Sequence, residues 1–294
     1  MVIHQWPEAA KPARVVLIGA RGFIGARLLR HLSSLGVPVL GLGSAELDLL
    51  NPAASDGLAA LVRPDDSLVM LAALTPDKGR DIATLMKNLA MAQHVCAALA
   101  KSPCAHVVYF SSDAVYPPAA SGVDEETPAA PGDLYGVMHL AREIMFRGVA
   151  NIPTLVLRPS LVFGLEDTHN SYGPNRFRRS AAKDGKITLF GNGEETRDHI
   201  HVDDAAGIAA LCLAHRSSGT LNVATGQSHS FAEVAQRVAR QFGEKIEIAG
   251  TPRANPITHR HYDITQLIKA FPGYSFLSLD EGIAQVHRQM MESR

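Results

Sequence analysis

The stretch RVVLIGARGFIGARLLRHLSSLG (residues 14–36) decides the fold. Its opening, RVVLIGA, is apolar without alternation, as a strand buried on both faces requires. GARLLRHLSSLG (25–36) then has the spacing of an amphipathic helix, closed by Gly36. Between strand and helix, Gly19, Gly22 and Gly25 stand three apart. Gly19 permits the tight turn, Gly22 lets the backbone approach a pyrophosphate, and Gly25 lets helix and strand pack closely. Phe23 and Ile24 lie between the last two, where the helix N-terminus faces negative charge. A glycine pattern alone says little. Set between this strand and this helix, it predicts a dinucleotide-binding turn.

The same alternation continues outward. VPVLGLG (37–43), SLVMLAA (67–73) and HVVYFSS (106–112) read as further strands, and GRDIATLMKNLAMAQHVCAALAKS (79–102) as a long helix. Strand, helix, strand at this spacing predicts an α/β protein with a doubly wound parallel sheet of the Rossmann type. After TLVLRPSLVFG (154–164) the rhythm breaks into LEDTHNSYGPNR (165–176). Beyond it short strands mix with helices, including SFAEVAQRVARQFG (230–243) and LDEGIAQVHRQMMES (279–293). The expected organisation is a dinucleotide-binding domain from residues 1–165 and 200–225. Residues 166–199 and 226–294 would form a smaller C-terminal α+β lobe that binds substrate.

Among 294 residues, 46% are hydrophobic and 19% charged, with a formal net charge of -1. That balance gives no electrostatic reason to expect nucleic acid or an anionic membrane as partner. No segment is apolar for long enough to span a bilayer, and the opening MVIHQWPEAAKPAR lacks the apolar run of a signal peptide. Cys96, Cys104 and Cys212 are odd in number, lie in apolar surroundings and lack metal-like spacing. They read as small core residues of a reducing compartment, so the expected location is the cytoplasm. His199 and His201 in DHIHVDD share a strand face near acids, but a helix capped by Asp203 or Asp204 accounts for the pattern without a metal.

Which dinucleotide binds turns on LGLGSAELDL (40–49). Preference for NAD normally calls for an acid at the end of the second strand, and Gly43 and Ser44 stand there instead. Arg21, inside the glycine turn, is placed to meet a 2′-phosphate, so NADP(H) is expected over NAD(H). Ser44, Asp48 and Leu49 are the expected lining of the adenosine end.

Two serines end the strand in VVYFSSDAVYP, ahead of Tyr135 in LYGVMHLARE (134–143). Ligands of a doubly wound sheet bind outside the carboxyl ends of its strands, so Ser112 and Tyr135 can border one nicotinamide. A phenol titrates near 10, and a tyrosine base near neutrality needs a nearby cation. Tyr135 and His139, four apart, share a helix face.

With these residues the chain resembles the extended short-chain dehydrogenase/reductase superfamily, in its nucleotide-sugar epimerase, dehydratase and reductase branch. GARGFIG, FSSDAVY, YGVMH, LRPSLVFG and LFGNGEETRDHIHVDD occur in family order over nearly the whole chain. The resemblance implies Tyr135 as acid/base and Ser112 as the hydroxyl that holds the reacting oxygen. It implies Asn88, Ala72 and Ala73 at the cofactor, and a nucleotide sugar as substrate. Arg197 would reach its diphosphate, with Asn175, Arg176 and Arg260 lining the same pocket. The family has a lysine where this chain has His139; an imidazole still bonds the ribose but pulls less on the phenol, unless Arg142 contributes charge. Family dehydratases follow the hydroxyl residue with Asp-Glu, whereas here Asp113 is followed by Ala114. A C4 epimerase and a 4-keto reductase remain open. So do a regulatory subunit without turnover and a reductase of a non-nucleotide carbonyl compound. The family also pairs the helix of Tyr135 and the helix at 79–102 with those of a second chain. The latter is apolar over more of its circumference than one buried stripe needs, so a homodimer is expected.

Overall fold

Val15–Ile18 has no polar side to offer water, and all four residues are buried in the middle of a sheet. The structure is a computed structural model describing residues 2–149, 151–243, 245–253 and 256–292. The first strands are β1 (Ile3–His4), β2 (Val15–Ile18), β3 (Val39–Leu42), β4 (Ser67–Met70) and β5 (His106–Phe110). Then come β6 (Gly122–Val123), β7 (Thr154–Pro159), β8 (Leu161–Phe163), β9 (Lys186–Phe190) and β10 (Thr196–His201). The last are β11 (Ser217–Val223), β12 (Ser228–Ser230), β13 (Glu247–Thr251) and β14 (His261–Tyr262). The helices are α1 (Phe23–Ser34), α2 (Ala54–Leu61), α3 (Ile82–Lys101), α4 (Leu134–Arg147) and α5 (Pro174–Asp184). They continue as α6 (Val202–Ala214), α7 (Phe231–Ala239), α8 (Thr265–Ala270) and α9 (Leu279–Glu292).

The main sheet has the order β1-β11-β7-β5-β4-β2-β3 and is parallel except for its edge strand β1. After β2 the chain places β3 on one side and β4 on the other, and this reversal opens a crevice at the strands' carboxyl ends. Leu28 and Leu32 of α1 with Ala205 and Ala209 of α6 cover one face. Leu58 of α2, Val95 of α3 and Phe146 of α4 cover the other. This is the expected α/β, doubly wound architecture.

The stretch 154–164 divides at Ser160 into β7 and β8. The Ser160 N–H bonds to the Val223 carbonyl (3.0 Å) and its hydroxyl to buried Asp198 (2.7 Å), which turns the chain out of the main sheet. β8 joins β10 and β12 in a separate sheet. The long helix starts at Ile82 rather than at 79 because Asp81 caps it through the Thr84 N–H. The helix expected over 279–293 runs from Leu279 to Glu292, and Ser293 lies outside the described residues. A second core joins Phe163, Phe177, Ile187, Phe231, Val234 and Ile283, from β8, β9, α5, α7 and α9. Burial pushes the Cys96 and Cys104 thiols up to about 11 and Cys212 up to about 12, so all three are inert core groups. Among the described residues no helix is long and apolar enough to cross a membrane.

Candidate active site

The glycines of the first turn answer to different constraints. Gly19 has φ of +92°, and a Cβ there would stand 2.8 Å from the Ala72 nitrogen. A Cβ on Gly25 would overlap the Gly19 carbonyl oxygen. At Gly22 it would meet nothing nearer than that oxygen, at 3.3 Å. The protein itself therefore needs Gly19 and Gly25, while the space beside Gly22 stays open. Gly22 is the N-cap of α1, with no side-chain cap and no acid in the first turn. The helix start thus keeps its N–H groups and partial positive charge for an anion. Phe23 turns inward against Gly164 and Ile24 packs on the core, so what they offer a ligand is their backbone.

At the far end of the crevice, exposed Arg21 forms an ion pair with Glu46. Glu46 also accepts from the Gly43 N–H (2.9 Å). An acid does reach the end of the second strand, brought back by the turn in which the Leu47 N–H bonds to the Gly43 carbonyl (2.9 Å). The sequence offers Gly43 and Ser44 at the strand end itself, and the acid stands two residues further on, at Glu46. Ser44 is exposed, Asp48 accepts from the Leu50 N–H (3.0 Å), and buried Leu49 offers its carbonyl to His94 Nδ1 (2.8 Å).

Asn88 is buried and ties down the segment after β4. Its Oδ1 accepts from the Leu74 N–H (2.8 Å), and its Nδ2 donates to the carbonyls of Leu74 (3.0 Å) and Thr84 (3.2 Å). Ala72 and Ala73 are fixed by this clasp, with Ala72 beneath Gly19.

Ser112 heads a short 3-10 turn, Asp113–Val115, and its Oγ accepts from the Ala114 N–H (3.1 Å). Tyr135 stands in the first turn of α4, which Asp133 caps through the Gly136 N–H (2.8 Å). A Cβ on Gly136 would overlap the Ala114 carbonyl oxygen, so only glycine lets α4 press onto the turn. That contact sets Tyr135 against the turn that Ser112 heads, near enough for the Ser112 hydroxyl to act on the phenol. Burial pushes the phenol up to about 12 and the Asp113 carboxylate adds to this, while the Ser112 hydroxyl and the Arg142 charge oppose it. The resting tyrosine is a protonated acid.

His139 stands edge-on to Tyr135, with ring centres 4.6 Å apart, and makes no hydrogen bond to it. Its Nδ1 bonds to the Tyr109 hydroxyl (2.7 Å), while Nε2 is buried and has no partner among the described residues. Burial, and then the nearby Arg142 guanidinium, hold its pKa well below the usual imidazole value. His139 is neutral here.

The residues expected around the substrate lie further out. Asn175 is buried, with Oδ1 accepting from the Gly164 N–H (3.0 Å), and so anchors the turn after β8. Arg197 donates to the carbonyls of Thr196 and Thr258 (both 2.8 Å) and to the Thr258 hydroxyl (2.7 Å). Arg260 spends its guanidinium on the carbonyls of Asp113 (3.0 Å), Pro117 (2.8 Å) and Ala120 (3.1 Å), clamping the loop behind Ser112. Arg176 is exposed, with its guanidinium over the Tyr172 ring and its backbone N–H bonded to the Ser171 carbonyl (3.2 Å). The structure thus joins Gly19 to Ala72, Asn88 to the segment just after it, and Tyr135 to His139, and gives Arg197 and Arg260 internal partners. Tyr109 and Glu143 were missed because their partners come from other elements. Among the described residues no group of three His, Cys, Asp or Glu side chains is gathered to hold a metal ion.

A glycine turn at the switch point of a parallel, doubly wound sheet defines an α/β protein of the dinucleotide-binding class. The family model described as the NAD dependent epimerase/dehydratase family matches residues 15–224, and the chain belongs to that family. It is 26% identical over 302 residues to the UDP-glucose 4-epimerase of Mycolicibacterium smegmatis, covering 92% of this chain and 96% of that one. It is 24% identical over 321 residues to the GDP-L-fucose synthase of Escherichia coli, covering 96% and 97%. Its fold resembles that of RMD from Pseudomonas aeruginosa complexed with NADPH, at a TM-score of 0.83 and 23% identity over 96% of this chain and 100% of that one.

Proposed function

We propose that the protein is an NAD(P)-dependent oxidoreductase acting at C4 of a nucleotide-linked sugar, and that it works as a 4-keto reductase. The observation that carries this reading is Tyr135 in the first turn of α4, pressed through Gly136 onto the turn that Ser112 heads, in a chain whose glycine turn keeps space open at Gly22. Three features fit a nicotinamide dinucleotide: the space at Gly22, the uncapped start of α1, and the unpartnered His139 Nε2. Gly22, Phe23 and Ile24 would hold its pyrophosphate, and Ala72, Ala73, Asn88 and His139 its nicotinamide end. When bound, the group supplies hydride to the carbonyl carbon. Ser112 donates a hydrogen bond to the carbonyl oxygen, and Tyr135 delivers its proton to that oxygen as negative charge develops there.

The protonated state of Tyr135 supports the reducing direction. A reductase needs a proton ready to give, and burial with Asp113 keeps the phenol protonated. An epimerase must first remove a hydroxyl proton, which needs phenolate. Dehydration needs a free acid beside Ser112, but Asp113 Oδ2 accepts from the Tyr262 hydroxyl (2.8 Å) and Ala114 follows it. NADP(H) is the proposed form, with Arg21 exchanging Glu46 for a 2′-phosphate. The lobe of residues 166–199 and 226–294, with Asn175, Arg176 and Arg197, would receive the nucleotide sugar. A second copy of the chain is proposed to cover the apolar sides of α3 and α4, where Ile82, Met86, Val137 and Ile144 are exposed. The test supplies NADPH with a nucleotide-linked 4-keto-6-deoxyhexose, and separately NAD with UDP-glucose. Loss of nicotinamide absorbance in the first alone supports the reductase. Conversion of UDP-glucose to UDP-galactose in the second, with none in the first, would replace it by an epimerase.

A further inference from the structure

Arg142 is an expensive residue with no visible return. Its side chain is fully buried, and among the described residues no carboxylate pairs with it. Its Nη2 donates to the Ala72 carbonyl (2.9 Å); among the described residues Nη1 meets only the Met138 sulfur (3.7 Å) and Nε has no partner. The acid next to it, Glu143, is already taken. Its oxygens receive Arg158 Nε (2.9 Å) and Nη2 (2.7 Å) and the Ser111 hydroxyl (2.6 Å), with Arg147 at 3.3 Å. A buried, uncompensated cation costs several kcal/mol unless its field is useful. The groups under that field are Tyr135 and His139 on α4, Tyr109 on β5 (ring centre 5.1 Å from the guanidinium carbon) and Cys96 on α3. Tyr135 also faces Ser112, Asp113 and Asp133, and Asp113 in turn meets Tyr262 and Arg260.

The Tyr109 hydroxyl is buried and stays protonated, and its one hydrogen bond among the described residues is to His139 Nδ1. A phenol with a single partner uses its proton there, so Nδ1 is the acceptor. The ring proton of neutral His139 then sits on Nε2, a donor left without an acceptor.

We propose that Tyr109, His139 and Arg142 work as one unit beside Tyr135. Tyr109 fixes the tautomer, His139 presents Nε2–H to a hydroxyl of the cofactor ribose, and Arg142 supplies the positive charge that favours Tyr135 as phenolate after proton delivery. Hydrogen bond and charge, which a single ammonium would provide together, are divided between two residues. Tyr109 and Arg142 are positioning residues, and the proposal rests on Tyr135 as the acid/base of the proposed function.

Nitrogen NMR of His139 in the cofactor-free parent should show Nε2 protonated and Nδ1 as acceptor, and a proton on Nδ1 would overturn the unit. Tyrosine ring-carbon NMR should show Tyr135 ionising about one pH unit higher in Arg142→Met than in the parent, with Arg142→Lys close to the parent. Tyr109→Phe should mix the His139 tautomers and weaken NADPH binding several-fold by calorimetry, leaving Tyr135 ionisation in place. An unmoved Tyr135 in folded Arg142→Met would overturn the charge assignment; if that variant does not fold, Arg142→Gln is read the same way. These readouts need no turnover. Full activity of Tyr135→Phe would instead defeat the proposed function, which separates the two failures.

Discussion

Gly22 is the residue at which the chain keeps space that its own packing does not claim. Its backbone is at φ of -76°, open to any residue, and an added Cβ meets only the Gly19 oxygen at 3.3 Å. Gly22→Val should therefore remove dinucleotide binding in calorimetric titration while moving the thermal midpoint little. Gly25→Val should unfold the protein, because its Cβ would overlap the Gly19 carbonyl. Retained affinity in Gly22→Val would refute the pyrophosphate site. Arg21 poses the opposite case, a residue whose partner decides its meaning. If Arg21 trades Glu46 for a 2′-phosphate, Arg21→Ala weakens NADPH selectively, by about tenfold for one charge-assisted pair worth roughly 1.5 kcal/mol. Equal loss for NADH and NADPH would reject it. The glycine roles were legible in the sequence because local geometry dictates them. Glu46 was not, because a turn of three residues decides which acid reaches the strand end.

α4 carries Tyr135, His139, Arg142 and Glu143, and besides its packing on the sheet a buried ion pair ties it to β7. Arg158, on β7, bridges to both oxygens of Glu143 and also reaches the Tyr116 hydroxyl (3.1 Å). Opposite charge raises Arg158 well above its usual range even against the cost of burial. Glu143→Gln leaves that guanidinium buried and uncompensated, and should cost about 3–5 kcal/mol in urea unfolding. The double variant Glu143→Leu with Arg158→Met should recover much of that loss. A single variant as stable as the parent would show that the pair does not anchor the helix. The Tyr135–His139 face was readable from i, i+4 spacing, and so was the helix. The Arg158 and Tyr109 contacts were not, since both cross from helix to strand and follow only from how α4 lies on the sheet.

Over the whole molecule, alternating strands and helices placed the sheet correctly, while the break at Ser160 depended on the distant side chain of Asp198. The same sheet and helices enclose several histidines. Burial lowers His106 to about 4 and His199 to about 3, and holds His139 well below the usual value. Unfolded histidines titrate near 6.5, so below that pH the unfolded chain binds more protons and stability falls. The expected slope is about 1.4 kcal/mol per pH unit for each buried histidine, beginning below about 6.5 and continuing toward about 4. Equal urea midpoints at about pH 7 and about pH 5.5 would show that these rings are charged in the folded protein. Assembly is the other property at this scale. Ile144 and Ile82 are 63% and 69% exposed, and Val137 and Met86 lie one to two turns along on the same two helices. Ala98, further along α3, is fully buried, so a charge there would break the core rather than an interface. The outward side is where a second chain would sit, since a solvated helix face is normally polar. Ile144→Glu places a charge in that apolar stripe without touching the interior. Light scattering at micromolar concentration should give about twice the chain mass for the parent and the chain mass for Ile144→Glu, with unfolding of the isolated chain unchanged. A parent that remains monomeric across concentrations would leave α3 and α4 unpaired, and Tyr135 would then owe its placement to contacts of its own chain: the Asp133 cap, Gly136 against Ala114, and the Glu143–Arg158 pair.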